Sequence, residues 1–160
     1  MKNLLSKILG DQKFLILVTI CFGVVFGVGG FIFIYAKGYS YLSNDPQACA
    51  NCHIMQDYYD SWVKSSHHKA AACNDCHVPH ELIEKYYVKG RNGFNHSKAF
   101  TLQNFTEPIR ITKANLEDLQ YNCIECHQNM VSDIAAHKDV KENKARCTQC
   151  HRSTGHLSLD

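Results

Sequence analysis

The chain has 160 residues, of which 45% are hydrophobic and 20% charged, and its formal net charge is +2 when histidine is counted as neutral. So mild a charge excludes the strongly basic character with which nucleic-acid-binding proteins neutralise phosphates. Nine cysteines and ten histidines make thiol and imidazole chemistry the first function class to consider.

The first predicted element is an uncharged apolar run over residues 14–36. As an α-helix it would span about 35 Å, enough to cross a hydrocarbon core of about 30 Å. A cleaved signal peptide is the alternative, but its apolar core is shorter and is followed by a small-residue cleavage site that this run lacks. We therefore predict an uncleaved signal anchor, in which Cys21 is a small buried hydrophobe.

Flanking charges predict the orientation of this anchor. Lys2, Lys7 and Lys13 precede the run, and Lys37 is the nearest basic residue after it. Because positive flanks remain in the cytoplasm, we predict residues 1–13 to be cytoplasmic, residues 14–36 to span the membrane and residues 37–160 to lie outside.

After the anchor, Cys-x-x-Cys-His occurs four times, which is the attachment signature of c-type haem. The two thiols of each motif would bind a haem covalently, and the adjacent histidine is placed to ligate the iron. Four covalent haems predict electron transfer. In bacteria c-type haem is attached outside the cytoplasm, which agrees with the predicted orientation. We therefore predict a protein of the inner membrane with a periplasmic haem domain. The thiol pairs are Cys49 and Cys52, Cys73 and Cys76, Cys123 and Cys126, and Cys147 and Cys150.

Zinc is the main alternative, because twenty residues separate Cys52 from Cys73 and Cys126 from Cys147, a spacing that zinc sites also use. The fixed histidine argues against it and against disulfides. With this composition, four histidines would follow four cysteine pairs by chance about once in 10⁵.

The motifs form a repeat, because the first and third begin 74 residues apart, as do the second and fourth. This spacing predicts two di-haem units, at about residues 49–77 and 123–151. Residues 37–160 leave about 31 residues per haem, so the haems would form much of the core. No alternating strand pattern is present, and we predict a mainly α fold: one transmembrane helix and a compact multihaem domain of short helices and loops.

Three helices are predicted in that domain: one around Tyr58–Val63, one over about residues 80–97, and one from about Thr112 into the third motif. The second helix places a set of polar side chains on one face, and Gly90 and Gly93 beside them would let a flat ring approach. A solvated basic face is the plain alternative. The polar set is Lys85, Lys89, Asn92 and His96.

The residues alone do not decide which side chains are the axial ligands of the haem irons. His68, five residues before Cys73, and His156, five after His151, stand in suggestive positions; His67 and His80 are runners-up. Met55 follows His53 by two residues. Methionine ligation would raise the potential of that haem, although His53 is favoured by pattern and Met55 could merely pack against it.

The chain resembles the NapC/NirT-type membrane-anchored tetrahaem quinol dehydrogenases, in particular the small subunits of cytochrome c nitrite reductases. The resemblance rests on the single anchor, the four-motif layout, the Cys-x-x-Cys-His-x-Met opening, residues 92–97 (Asn-Gly-Phe-Asn-His-Ser) and residues 41–46 (Tyr-Leu-Ser-Asn-Asp-Pro).

The resemblance implies axial ligands. Met55 rather than His53 would bind the first iron. His77 would bind the second, whose far ligand can be a lysine from the catalytic partner. The remaining pairs would be His127 with His156 for the third iron and His151 with His68 for the fourth.

The resemblance also implies a function. The chain would oxidise menaquinol at the outer membrane face beside the first haem, where Lys85 and Asn92 position the substrate. Electrons would pass to a periplasmic pentahaem nitrite reductase, which holds the site that converts nitrite to ammonium. The alternative is a quinol dehydrogenase that feeds a different periplasmic reductase. A haem sensor is disfavoured by the short cytoplasmic segment.

Asn92 departs from the family, which commonly has an aspartate there. An amide does not accept a proton as a carboxylate does, whereas quinol oxidation releases two protons. We therefore predict that His96, or a carboxylate such as Glu84, is the proton acceptor.

Overall fold

The computed structural model describes residues 12–141 and 144–157, so most of the predicted cytoplasmic segment, residues 1–11 with Lys2 and Lys7, lies outside the described residues. The described chain is helical and contains no β-strand, which confirms the mainly α prediction. It divides into two units, residues 1–39 and residues 40–160.

Helix α1, Gln12–Tyr35, makes up most of the described part of the first unit. Its 24 residues, with a mean hydropathy of 2.6 over an 18-residue stretch, make it long and apolar enough to cross a membrane. After α1 the chain turns at Lys37, whose φ is 50°. A Cβ on Gly38 would lie 2.5 Å from the Phe33 ring, so the turn depends on a glycine at this position.

The second unit consists of short helices around two longer ones. Its α-helices are α2 (Pro46–Cys49), α3 (Gln56–Val63), α4 (Cys73–His77), α5 (Leu82–Leu102), α6 (Lys113–Cys126), α7 (Gln128–Asp133), α8 (Lys138–Lys141) and α9 (Cys147–Cys150), and 3₁₀ helices cover Gly38–Leu42, His53–Met55 and Ala135–His137. The three predicted helices correspond to α3, α5 and α6, and α5 continues five residues past its predicted end.

Local sequence sets several helix ends. The Asp45 carboxylate accepts a hydrogen bond from the Gln47 N–H, and Pro46 occupies the first turn of α2, where a missing N–H costs nothing. The Thr112 hydroxyl caps α6 by accepting from the Asn115 N–H. Helix α5 ends at Gln103, which adopts the left-handed conformation with a φ of 51°.

The packing of α4 against α6 is the main tertiary contact of this unit. Asn122 on α6 is only 2% exposed, and its side-chain amide donates to the carbonyl oxygens of Cys76 (2.9 Å) and Val78 (3.0 Å). This pair of bonds ties the second motif to the helix that leads into the third. The buried hydrophobic residues among those described are Val78, Val88, Val131 and Val140.

Candidate redox centre

The eight motif thiols lie on or beside short helical segments. A Cys-x-x-Cys pair is three residues apart, so a helical turn brings both thiols to one face. All nine cysteines are free, including Cys21 in α1. Among the described residues, no group of three or more His, Cys, Asp or Glu side chains is placed to hold a metal ion.

Thiols of successive motifs are neighbours. The hydrogen bond from Cys73 lowers the pKa of Cys49 to about 7. The pKa of Cys76 is raised by burial, then by Asp75 and by Cys126 of the third motif. Burial and the nearby Cys147 raise the pKa of Cys123 to about 11. The four attachment points therefore follow one another in space in the same order as in the sequence.

Three of the four motif histidines have a second imidazole nearby. His77 and His156 have ring centres 6.0 Å apart and planes within 11°; His127 lies 6.0 Å from His67, and His151 lies 6.4 Å from His137. Imidazole nitrogens commonly ligate haem iron, so these neighbouring histidines are candidate haem ligands.

The imidazole neighbours differ from the pairs that the resemblance implies. His156 is beside His77 and packs edge-on against Tyr58, at 5.2 Å, while His68 packs against Trp62 at 5.5 Å. The sequence left His67 as a runner-up. It gave no role to His137, which carries no motif or spacing that could have singled it out.

Other candidate ligands have defined environments. His80, a runner-up, bonds through Nδ1 to the Glu125 carboxylate (2.8 Å) and through Nε2 to the Asp75 carbonyl oxygen (3.2 Å), so it links α4 to α6. His53 is exposed and Met55 is half-buried, two residues apart in the same 3₁₀ helix. Burial, and the charge of His156, lower the pKa of His77 to about 4, so its imidazole is neutral, as iron ligation requires.

The polar face of α5 packs on the segment before the first motif. The Lys89 ammonium, on a residue only 5% exposed, donates to the Ser43 carbonyl oxygen (2.8 Å) and to Asn44 Oδ1 (2.9 Å). Asn74 Nδ2 donates to the same two oxygens. A solvated basic face is therefore the wrong interpretation for Lys89, which fastens residues 43–44 against α5.

Tyr41 continues this contact toward the end of α5. Its ring lies on Gly93, where a Cβ would meet ring carbons at 3.5 Å, and its hydroxyl lies 2.7 Å from His96 Nδ1. The flat ring that the two glycines were predicted to accommodate is, at Gly93, this tyrosine; nothing lies within 4 Å of a Cβ on Gly90. Burial, and then the charges of Cys52 and Cys49, raise the pKa of Tyr41 to about 12, which places it beside the first motif.

Other predicted site residues surround this contact. Lys85 lies one turn before Lys89, whose pKa is lowered by burial and then by the Lys85 charge. Asn92 is half-buried. Arg91, its neighbour, points to α6 and donates to Asn115 Oδ1 and Asp118 Oδ2, both at 2.6 Å.

Replacing Lys89 with methionine should lower the stability of this contact. The change removes two charge-assisted hydrogen bonds, and we expect the free energy of unfolding to fall by about 2 kcal/mol. Thermal unfolding in detergent measures the effect. Lys98→Met is the control, because Lys98 is exposed on the same helix; equal Tm values for the two variants would contradict the role assigned to Lys89.

Comparison with known proteins gives a consistent result. The model of the NapC/NirT cytochrome c family, N-terminal region, matches residues 10–160. Cytochrome c-type protein NrfH of Wolinella succinogenes is 35% identical over 161 residues, covering 92% of this chain and 89% of that protein. Cytochrome c nitrite reductase subunit NrfH of Nitratidesulfovibrio vulgaris is 32% identical, covering 78% and 74%.

A solved structure is also similar. It is a crystal structure of the cytochrome c nitrite reductase NrfHA complex bound to the HQNO inhibitor. One of its chains matches with a TM-score of 0.64 and 27% identity, over 89% of this chain and 92% of that chain.

The residues present fit covalently bound haem. Each motif offers two free thiols three residues apart, within one helix in the second, third and fourth motifs, and a histidine follows each pair. Next to Cys147, the Arg146 side chain has a buried Nη1 without a hydrogen-bond partner. A guanidinium at that position suits a haem propionate, because arginine binds carboxylates strongly.

Proposed function

Because the chain belongs to the NapC/NirT cytochrome c family, we propose that it is the membrane-anchored, quinol-oxidising subunit of a cytochrome c nitrite reductase complex. The proposal is carried by similarity to two NrfH proteins and to a chain of the NrfHA complex over most of the length. The anchor would hold the N-terminus in the cytoplasm and the second unit in the periplasm, as the flanking lysines predict.

The four motifs would hold four haems. His77, His127 and His151 would be motif-supplied iron ligands, with Met55 in place of His53 at the first motif. When bound, c-type haems supply one-electron carriers whose potentials depend on axial ligands and surroundings. The protein's own part is to fix the attachment points in sequence order and to bind the quinol.

The distal ligand of the third haem has two candidates. The resemblance to the family implies His156, whereas His67 is the imidazole beside His127 in the structure. We propose His156, and with it His68 for the fourth haem. His156→Ala should therefore convert one low-spin haem to a high-spin form, detected by electron paramagnetic resonance, while His67→Ala leaves the spectrum unchanged. A high-spin signal in His67→Ala alone would assign the ligand to His67.

The quinol would bind along the α5 face that carries Lys85, Asn92 and His96. Lysine and amide side chains donate hydrogen bonds that can orient quinol oxygens, and the imidazole can accept a proton. Menaquinol is the proposed substrate. A periplasmic pentahaem nitrite reductase is the proposed electron acceptor and the place where nitrite is reduced.

Menaquinol-driven nitrite reduction tests this function directly. The chain is purified from native membranes in mild detergent together with any associated cytochrome, and ammonium formation is measured with and without HQNO. HQNO-sensitive ammonium production is expected. Haem reduction by menaquinol without nitrite turnover, with a purified pentahaem reductase added back, would indicate a quinol dehydrogenase that serves a different reductase.

A further inference from the structure

We propose that Tyr41 and His96 form a proton-accepting pair for quinol oxidation, in which His96 is the base and Tyr41 positions it. This inference rests on the proposed quinol-oxidising function and adds a residue, Tyr41, and a route for the proton. The two residues are 55 positions apart, yet Tyr41 Oη and His96 Nδ1 are 2.7 Å from each other.

The pair is held from both sides. The Tyr41 ring packs over Gly93, where an added Cβ would meet the ring carbons at 3.5 Å, and its centre is 6.0 Å from that of His96. The 3₁₀ helix that contains Tyr41 leads into residues 43–44, which Lys89 fastens to the same helix. Tyr41 therefore has little freedom to turn away from His96.

The other groups around the pair do not accept a proton, so His96 is the base. The charged neighbours of Tyr41 are Cys52 and Cys49, which become uncharged thioethers when haem is attached, and the pKa of His96 is lowered by burial. Lys85 and Lys89 share its helix face and accept no proton when charged. Asn92, one turn earlier, is an amide and accepts none either.

Glu84, the other acceptor considered from the sequence, belongs to a different surface. Its charge acts on Tyr121 of α6, together with those of Glu81 and Glu125. Glu84 and His96 are twelve positions apart on α5, which places them about 120° apart around the helix axis. A quinol beside the first motif would therefore meet His96 and not Glu84.

The proton and electron balance is simple. Menaquinol would be oxidised to menaquinone, and its two electrons would be taken up, one each, by two of the haems that the motifs would hold. With His96 Nδ1–H donating to Tyr41 Oη, the Nε2 lone pair is available to accept a quinol proton. The imidazolium, stabilised by the tyrosine oxygen, returns that proton to water from its exposed edge and then accepts the second one.

This arrangement predicts a pH dependence. The pKa of His96 is lowered from its usual 6.5 by burial, so the imidazole is neutral at pH 7. Quinol-driven haem reduction should rise with pH through that pKa and then level off. Tyr41, with its pKa raised to about 12, stays protonated throughout this range.

The experiment follows haem reduction by stopped flow in the full-length, haem-loaded protein, with a menaquinol analogue and, separately, with dithionite, which needs no proton acceptor. His96→Gln should slow quinol-driven reduction by about 100-fold, as loss of a general base does. Tyr41→Phe should slow it by about 10-fold and move the acid limb to lower pH, because the imidazolium loses its acceptor. Tyr87→Phe, an exposed tyrosine of α5, is the control.

HQNO binding, measured by fluorescence titration, separates proton transfer from binding. Retained HQNO affinity with slow quinol oxidation and normal dithionite reduction supports the pair. Wild-type rates and pH profile in both variants would overturn it, and so would loss of HQNO binding in step with rate, which would make the pair a binding contact. If menaquinol fails to reduce even the wild-type chain, the proposed function is at fault instead.

Discussion

Replacing Cys73 and Cys76 together with serine is expected to remove one of four covalent haems and to lower menaquinol-driven nitrite reduction by more than about 100-fold. Changes that only disturb the surroundings of a metal site already cost about 10- to 100-fold. Loss of the attachment itself should cost more.

The position of the second motif explains why this pair is the sensitive one. Cys73 contacts Cys49 of the first motif, and Cys76 lies near Cys126 of the third. The second attachment point therefore lies between the proposed quinol-binding face and the third and fourth attachment points. Loss of the haem at the second motif would interrupt the row of four haems near its first member, whereas loss at the fourth motif would leave three consecutive attachment points.

Intact mass and haem absorbance of the purified protein measure this result. Wild type should carry four haems and the Cys73/Cys76 variant three. Cys21→Ser is the matched control, since Cys21 is the one cysteine outside the motifs, and should keep all four haems and full turnover. Three haems in the wild type, or undiminished turnover in the double variant, would contradict the assignment.

Asn122→Asp should be the most damaging single substitution in the second unit, lowering the free energy of unfolding by about 3–5 kcal/mol at pH 7. The Asn122 side-chain amide donates two hydrogen bonds to the Cys76 and Val78 carbonyl oxygens. An ionised aspartate in the same place donates none and sets its charge against both carbonyls, in a site only 2% exposed.

The loss of stability in the Asn122→Asp variant should depend on pH. The buried position would raise the pKa of the introduced carboxyl above its unfolded value of about 3.9. Below that value the variant is protonated in both states and donates one hydrogen bond, so the loss is smallest. As pH rises toward the folded-state pKa, only the unfolded chain ionises and the loss grows.

Thermal unfolding at several pH values checks this prediction. Asn104→Asp, on an exposed residue, is the control and should leave Tm nearly unchanged. A variant Tm that falls below the wild-type value by the same amount at pH 4 and pH 7 would show that lost packing, and not the buried charge, causes the damage.

The elements that follow from local sequence were predicted correctly. Helix α1 follows from a long uncharged run, and α3, α5 and α6 follow from apolar spacing. The third helix was also predicted to start at about Thr112, and in the structure the Thr112 hydroxyl caps its first turn.

The contacts that join distant segments were not predictable in this way. Tyr41 meets His96 across 55 positions, and Lys89 is buried only because residues 43–44 fold over it. Helical spacing predicted that Lys89 lies on the polar face of α5. It could not predict which distant segment packs over that face. His67 beside His127 likewise depends on how α3 and α6 are brought together, which no periodicity records.

The contact between Cys49 and Cys73 also bears on how the protein is made. A thiol whose pKa is lowered to about 7 is about half thiolate at neutral pH and therefore prone to oxidation, and an oxidising compartment such as the periplasm favours disulfides. A Cys49–Cys73 crosslink would disable two attachment motifs at once. With the second unit exported as proposed, we expect maturation of this chain to need a reductant that keeps the newly exported thiols free until haem is joined to them.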